Sequence, residues 1–375
     1  MDKQKKLVVW AVSAVALLVL PLLLQSMGNF WVRIADTALL YVLLALGLNI
    51  VVGYAGLLDL GFVAFFAIGA YMYGLMASPH LSSTFPWFAA MFPDGLHTSV
   101  WLVIPLGAAI AGVLGILLGA PTLKLRGDYL AIVTLGFGEI IRVFLNNLDH
   151  PVNLTNGPKG LGQIDSITLF KFDLFGIPGI NLGRFLDIGE YRINSVTLYY
   201  YLFLALAVVS LIICHRLEVS RIGRAWMAIR EDEIAAKAMG INTRNMKLLA
   251  FGMGATFGGV SGVMFAAFQG FVSPESFSLM ESVMIVAMVV LGGIGHLPGV
   301  ILGAVLLSAL PEVLRWVSGT FDLQSVTGGR LDPAILRQLL IALAMIIVML
   351  LRPRGLWPSP EHGKALRQNG ARAQP

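Results

Sequence analysis

The sequence predicts an all-α polytopic membrane protein, and three observations carry that prediction. Of 375 residues, 57% are hydrophobic and only 13% are charged, about half the charged share of an ordinary soluble domain. The apolar residues fall in continuous blocks of about twenty, the length that crosses a bilayer as a helix. They lack the short alternation of a membrane β-barrel. A water-soluble fold could not hide that much apolar surface, so the solvent is lipid.

About ten transmembrane helices can be drawn in order, at residues 7–24, 34–52, 57–77, 99–118, 129–145, 197–214, 248–268, 282–294, 299–317 and 335–351. The first follows Lys3, Lys5 and Lys6 and has the look of a signal peptide. Its apolar run is too long, however, and no small-residue cleavage site follows, so it reads as a retained span. The segment 282–294 is too short for about 30 Å of hydrocarbon. Its continuation, LGGIGHLPGV from Leu291 to Val300, interrupts any helix with Gly292, Gly293, Gly295 and Pro298. Half-helices near 282–303 therefore stand beside full spans as an alternative. Such breaks are tolerated only where protein buries them or where they line a cavity.

Lys and Arg in the flanks resist translocation and set orientation. With a cytoplasmic N-terminus, Lys124, Arg126, the basic residues from Arg216 to Lys247 and the tail Arg352 to Arg372 all lie inside. Both termini are then cytoplasmic, 146–196 is an extracytoplasmic loop, and 215–247 is a cytoplasmic loop of a single transmembrane domain spanning 1–375. The outer loop is read as a lid over the bundle or as a docking surface.

The net charge of +5 sits in membrane-flanking loops and gives no reason to expect nucleic acid. A lone cysteine, Cys214, excludes an internal disulfide and suggests no metal site. There is no His-Glu-x-x-His, serine elbow or cysteine with a nearby base, so no catalytic residue is assigned and the chain is not expected to be an enzyme. No Gly-x-x-x-x-Gly-Lys-[Ser/Thr] occurs, so ATP has no phosphate-binding loop here.

Glycine, 41 residues in all, is placed in ladders. Gly254, Gly258 and Gly262 recur every four residues, continued by Ala266 and Gly270, as do Gly295, Gly299 and Gly303. Small residues at this spacing let helices approach closely in lipid, within one subunit or between two. With Gly292 and Gly293 they are candidates for helix packing or for the translocation path. Glu139 and Arg142 share a helical face three residues apart and read as an intrahelical ion pair or as a substrate contact. Asp59 and Glu281 read as helix caps, and His296 makes a poor proton relay without an acid partner.

One block is unlike the rest. Between Arg216 and Lys247 the chain leaves the apolar pattern, and REDEIAAKAMGINTRNMK (Arg230 to Lys247) is polar at helical spacing. Asp232 can cap a short helix, Gly240 can end it in a left-handed turn, and Asn242 or Thr243 can cap the next. A topology anchor needs a few cations, not two capped helices.

This block resembles the cytoplasmic coupling loop of ABC importer permeases. Ala235, Ala236 and Gly240 match its Glu-Ala-Ala-x-x-x-Gly spacing, while Glu233 stands one residue early and the closing Leu-Pro is absent. Longer blocks surround it: LKLRGDYLAIVTLGFGEIIRV from Leu123, GRAWMAIREDEIA from Gly223, QGFVSPESF from Gln269, VVLGGIGHLPGVILGA from Val289, and RPRGL from Arg352. Together they are similar, over nearly the whole chain, to the larger permease subunit of branched-chain amino acid ABC importers. The resemblance implies a multi-pass subunit of the bacterial inner membrane, importing Leu, Ile or Val. It implies a second homologous permease, two ATPase subunits that hydrolyse the ATP, and a periplasmic binding protein. The ATPase-coupling residues it marks are Gly223, Arg224, Arg230, Glu233, Ala235, Ala236 and Gly240. A bulky residue at Ala236 or a β-branched one at Gly240 is expected to uncouple transport. The chief rival, an ion-coupled secondary transporter, needs self-similar halves and acidic or unwound ion sites, and no convincing internal repeat is visible.

Overall fold

The computed structural model describes residues 3–122, 125, 127–169, 180–181, 186–188, 191–193, 195–320 and 355–357, with isolated positions from 339 to 350. The described chain is overwhelmingly helical. In order come α1 (Lys3–Met27), α2 (Asn29–Leu48) prolonged by a π-helical turn (Asn49–Tyr54), and α3 (Val63–Met76). Two short helices, α4 (His80–Thr84) and α5 (Pro86–Met91), lead to α6 (Val100–Thr122) and α7 (Asp128–Asn147). After the loop come α8 (Ser195–Val219), α9 (Arg221–Glu231), α10 (Glu233–Ala238), α11 (Thr243–Gln269), α12 (Leu279–Gly292) and α13 (Leu297–Thr320). The loop holds two small antiparallel ladders, β1 (Thr168–Leu169) with β2 (Ile180–Asn181) and β3 (Leu186–Ile188) with β4 (Tyr191–Ile193).

Among the described residues, four helical stretches are long and apolar enough to cross a membrane: Asn29–Tyr54, Val100–Thr122, Ser195–Val219 and Thr243–Gln269. Shorter apolar helices stand among them, as in a polytopic membrane protein. The expected span at 335–351 and the basic tail lie outside the described residues, apart from the isolated positions and Gly355–Trp357.

The central post is α11, packed against α6, α3 and α2. Its small residues make this possible. A Cβ on Gly262 would sit 2.1 Å from the Phe66 carbonyl, and one on Gly259 2.6 Å from the Gly107 carbonyl. At Gly254 and Gly258 a Cβ would instead meet side-chain carbons, Val51 Cγ2 at 2.5 Å and Phe65 Cβ at 3.0 Å. Backbone-to-backbone contact of this kind replaces the hydrophobic drive that lipid does not supply. Phe62, Phe203, Phe277 and the run Leu43 to Leu48 fill the centre.

The structure differs from the sequence reading at the start of the expected span 57–77. Helix α3 begins only at Val63, and residues 55–62 run irregularly. Gly56 is held at φ +69°, and at Gly61 a Cβ would meet the Thr134 carbonyl at 2.1 Å, so the chain is pressed against α7 before it can coil. Several of its polar groups are satisfied internally, although one Asp59 carboxylate oxygen is buried without a partner. The Thr134 hydroxyl accepts from the Leu60 N–H at 3.0 Å, the Ser282 hydroxyl donates to the Leu60 carbonyl, and the Asp59 carboxylate accepts from the Gly61 N–H at 2.9 Å. Non-helical backbone survives in a membrane only when so buried. Asp59 thus closes this turn and does not cap α3.

Candidate functional site

Two structures stand out from the packed bundle: a polar unit of short helices at one end, and a set of broken helices leading inward from it.

The polar unit is α9 and α10 with the start of α11. Each begins on a side-chain cap. Ser220 accepts from the Gly223 N–H at 3.1 Å, Asp232 from Ile234 and Ala235 at 2.8 and 3.0 Å, and Asn242 from Asn245 at 3.2 Å. Gly240, at φ +84°, makes the left-handed turn after α10. The caps at Asp232, Gly240 and Asn242 are those the sequence calls for; Ser220 was missed, although a serine just before a helix is an ordinary capping signal.

This unit is bolted to α11. The indole N–H of Trp226, wholly buried, donates to the Met246 carbonyl at 2.7 Å. Lys247, itself buried, pairs with Glu233 at 2.7 Å. Of the sequence candidates, Gly223 sits in a tight turn where a Cβ would meet the Leu217 carbonyl at 2.1 Å. Arg224 is exposed and donates to the Val219 carbonyl, and Ala235 and Gly240 are exposed. Ala236 faces inward and is buried, so a bulky residue there disturbs the unit's own packing before it meets any partner. What the unit offers outward is Ile234 and Met239, 72% and 84% exposed.

Arg230 also turns inward. Its Nη1 donates to the Gly53 carbonyl at 2.6 Å, at the end of the π-turn. Nothing in the local sequence marks that, because its partner lies 177 residues away.

The broken helices begin at the same end. Gly295 donates its N–H to the Asn49 side chain at 3.0 Å, and α12 and α13 meet at the glycine break with Gly293 at φ +124° and Gly295 at φ +81°. Gly292 and Gly299 stack so closely that a Cβ on either would come within 2.4 Å of the other's carbonyl. Residues Gly355–Trp357 return to this break: Leu356 and Trp357 donate to the Leu291 and Gly292 carbonyls at 2.8 and 3.1 Å. His296 donates from Nδ1 to the Trp357 carbonyl at 3.0 Å, a structural bond.

From the break, α12 reaches back only 14 residues, about 21 Å. Its first turn carries Glu281, whose carboxylate accepts from the Tyr41 hydroxyl. Tyr41 precedes Tyr54 by about 20 Å of helix, so α12 starts inside the bundle beside residues 55–62. Glu281 stands in the first turn of α12, half-buried, and makes no capping bond; its carboxylate ties that helix to α2 at Tyr41, 240 residues away. Near the opposite end, Arg142 Nε bonds Glu139 at 3.0 Å and its Nη1 bonds Glu275 at 3.2 Å. The intrahelical pair is present, and its second carboxylate ties α7 to the 3₁₀ turn Pro274–Phe277.

Among the described residues no group of His, Cys, Asp and Glu could hold a metal ion. The arrangement is a rigid capped unit at one end and, beside it, a glycine break joining a short helix, α12 of 14 residues, to a long one, α13 of 24; two half-helices meeting at depth, the alternative the sequence offered, are not what this break joins.

Comparison with known proteins agrees. The family described as branched-chain amino acid transport system / permease component matches residues 30–349. The chain is 40% identical over 367 residues to the high-affinity branched-chain amino acid transport system permease protein LivM of Escherichia coli K12, covering 96% of this chain and 78% of that protein. It is 40% identical over 347 residues to the LivM protein of Salmonella typhimurium, covering 92% and 73%. It is 27% identical to that organism's LivH permease protein, covering 90% and 96%. No solved structure matches the chain. The chain belongs to the branched-chain amino acid transport permease family.

Proposed function

We propose that this chain is one of two permease subunits of an ATP-binding cassette importer in a bacterial inner membrane, translocating Leu, Ile or Val. The second permease is a homologous, LivH-like chain. Two ATPase subunits hydrolyse the ATP, and a periplasmic protein delivers the substrate.

One observation carries the reading. The α9–α10 unit is capped, bolted to the central helix, and presents two bare apolar side chains, Ile234 and Met239, which nothing among the described residues covers. Large exposed hydrophobics on a rigid polar helix pair are the anchors of a protein interface. In this reading the end bearing Tyr54, α9 and α10 faces the cytoplasm, 215–247 is the coupling loop, both termini are cytoplasmic, and the loop 146–196 lies outside. The ATPases grip the lever and its rocking alternates access at the broken helices. Apolar substrates ask the path for shape and dryness, which fits the scarcity of ionisable groups in the long spans.

The test is reconstitution of the full complex in vesicles with the binding protein and labelled leucine. ATP-dependent uptake with no ion gradient supports the importer. Uptake that runs on an ion gradient without ATP supports the secondary transporter in its place.

A further inference from the structure

We propose that Arg230 is the transmission residue between the lever and the broken helices, a positioning residue through which lever movement reaches the α12–α13 break. This rests on the importer reading.

Two glycines from separated parts of the chain, Gly56 and Gly295, leave room for this one side chain, and a third, Gly53, supplies its acceptor. The Gly53 carbonyl accepts from Nη1 at 2.6 Å. A Cβ on Gly56 would sit 2.8 Å from Arg230 Cγ, and one on Gly295 would sit 2.8 Å from Arg230 Nη1. The stem therefore lies along the start of the irregular segment, while the guanidinium lies between the end of α2 and the break. Gly56 and Gly295 both hold positive φ, +69° and +81°, so neither position accepts a side chain without strain.

The location suits a cation. The π-turn that ends α2 closes at Tyr54 and α12 ends at Gly292. The carbonyl end of the π-turn carries a partial negative charge, and Arg230 meets it at Gly53. Among the described residues, the other side chain that bridges this joint is Asn49, whose carbonyl oxygen takes the Gly295 N–H at 3.0 Å. A Cβ on Gly53 would lie 2.0 Å from that oxygen and 2.9 Å from the Gly295 nitrogen, so Gly53 is the pivot against which both bridges close.

Beyond α8, which runs straight into α9, the lever consequently has two exits. One is α11, held by Trp226 and by Lys247–Glu233. The other is Arg230, in the last turn of α9 and the only link described from the lever side chains to Gly53 and Gly295. Movement of α11 shifts the packed bundle as a body. Arg230 instead acts on the joint itself, where two short elements can change angle at glycines. Arg230 presents the one nitrogen Nη1 to both the Gly53 carbonyl and Gly295, from a rigid planar guanidinium whose stem lies against Gly56; a lysine keeps the charge but not that fixed geometry.

The experiment uses the complete importer in vesicles, reading leucine imported per ATP hydrolysed for Arg230→Gln and Arg230→Lys. If the native complex shows no ATP-dependent uptake, the importer reading itself fails, before any variant is made. With native uptake established, the expectation is a fully assembled Arg230→Gln complex whose ATP hydrolysis stays within about twofold of native. Its transport per ATP should fall at least about tenfold, with partial recovery in Arg230→Lys. A ratio within about twofold of native in Arg230→Gln overturns the proposal. Should Arg230→Gln fail to assemble, Arg230→Lys decides on the same ratio. Failure of both to assemble also overturns it, since the arginine would then serve folding of the joint and not its movement.

Discussion

Gly262 shows how a single missing methyl sets the architecture. A Cβ there would lie 2.1 Å from the Phe66 carbonyl and 2.6 Å from the Ala70 nitrogen, and neither backbone atom can yield without parting α3 from α11. Gly262→Leu should therefore destabilise the chain by about 1–3 kcal/mol or more, seen as a lowered thermal midpoint of the purified protein in detergent. Gly136, with nothing within 4 Å of its Cβ position, should take alanine with no loss, since alanine favours the helix. An equal drop in both variants would remove close approach as the explanation. At this scale the sequence is readable where chemistry is local. Asp232, Gly240 and Asn242 announce themselves because a cap needs only its neighbours three residues on. The inward turn of Arg230 and the Tyr41–Glu281 contact are silent, since their partners stand 177 and 240 residues off.

Helices and their connections divide in the same manner. Hydropathy marks α6, α8 and α11, and glycine with proline marks the break after α12. It does not mark the uncoiled stretch 55–62, because GLLDLGF is as apolar as the helix that follows; only the approach of Thr134 to Gly61 keeps it open. One connection is set by charge. His97 precedes α6 and bonds Asp165 through Nδ1 and the Asp94 carbonyl through Nε2. Both partners only accept, so both ring nitrogens must carry protons. The Asp165 hydrogen bond, ahead of the other causes, holds the His97 pKa above its ordinary value. A raised folded value means that the stabilisation is complete below the usual histidine pKa of about 6.5 and fades as pH rises through the folded one. Amide exchange across residues 92–99 should therefore quicken as pH rises from about 5.5 to about 8.5, beyond intrinsic chemistry. His97→Gln should lose that dependence; a variant that keeps it shows that another group is responsible.

For the molecule as a whole, the exposed tip of the lever is where assembly can be tested apart from folding. Ile234 and Met239 touch solvent almost entirely, so Ile234→Asp with Met239→Asp should leave the chain inserted and as heat-stable as native. Burying a carboxylate at a hot spot costs binding at least about 2 kcal/mol, about thirtyfold in ATPase affinity, read as loss of the ATPase subunits on co-purification. Full retention of those subunits would place the docking surface elsewhere. The return of Gly355–Trp357 to the Leu291 and Gly292 carbonyls adds a matter of timing. The hinge beside the lever is fastened by a stretch translated some sixty residues after it, so the ribosome has made nearly the entire mover before its clasp exists. A chain released short of that clasp leaves the Leu291 and Gly292 carbonyls without these donors, and the break is then held from its other side, by Asn49 and by the close fit of Gly292 on Gly299.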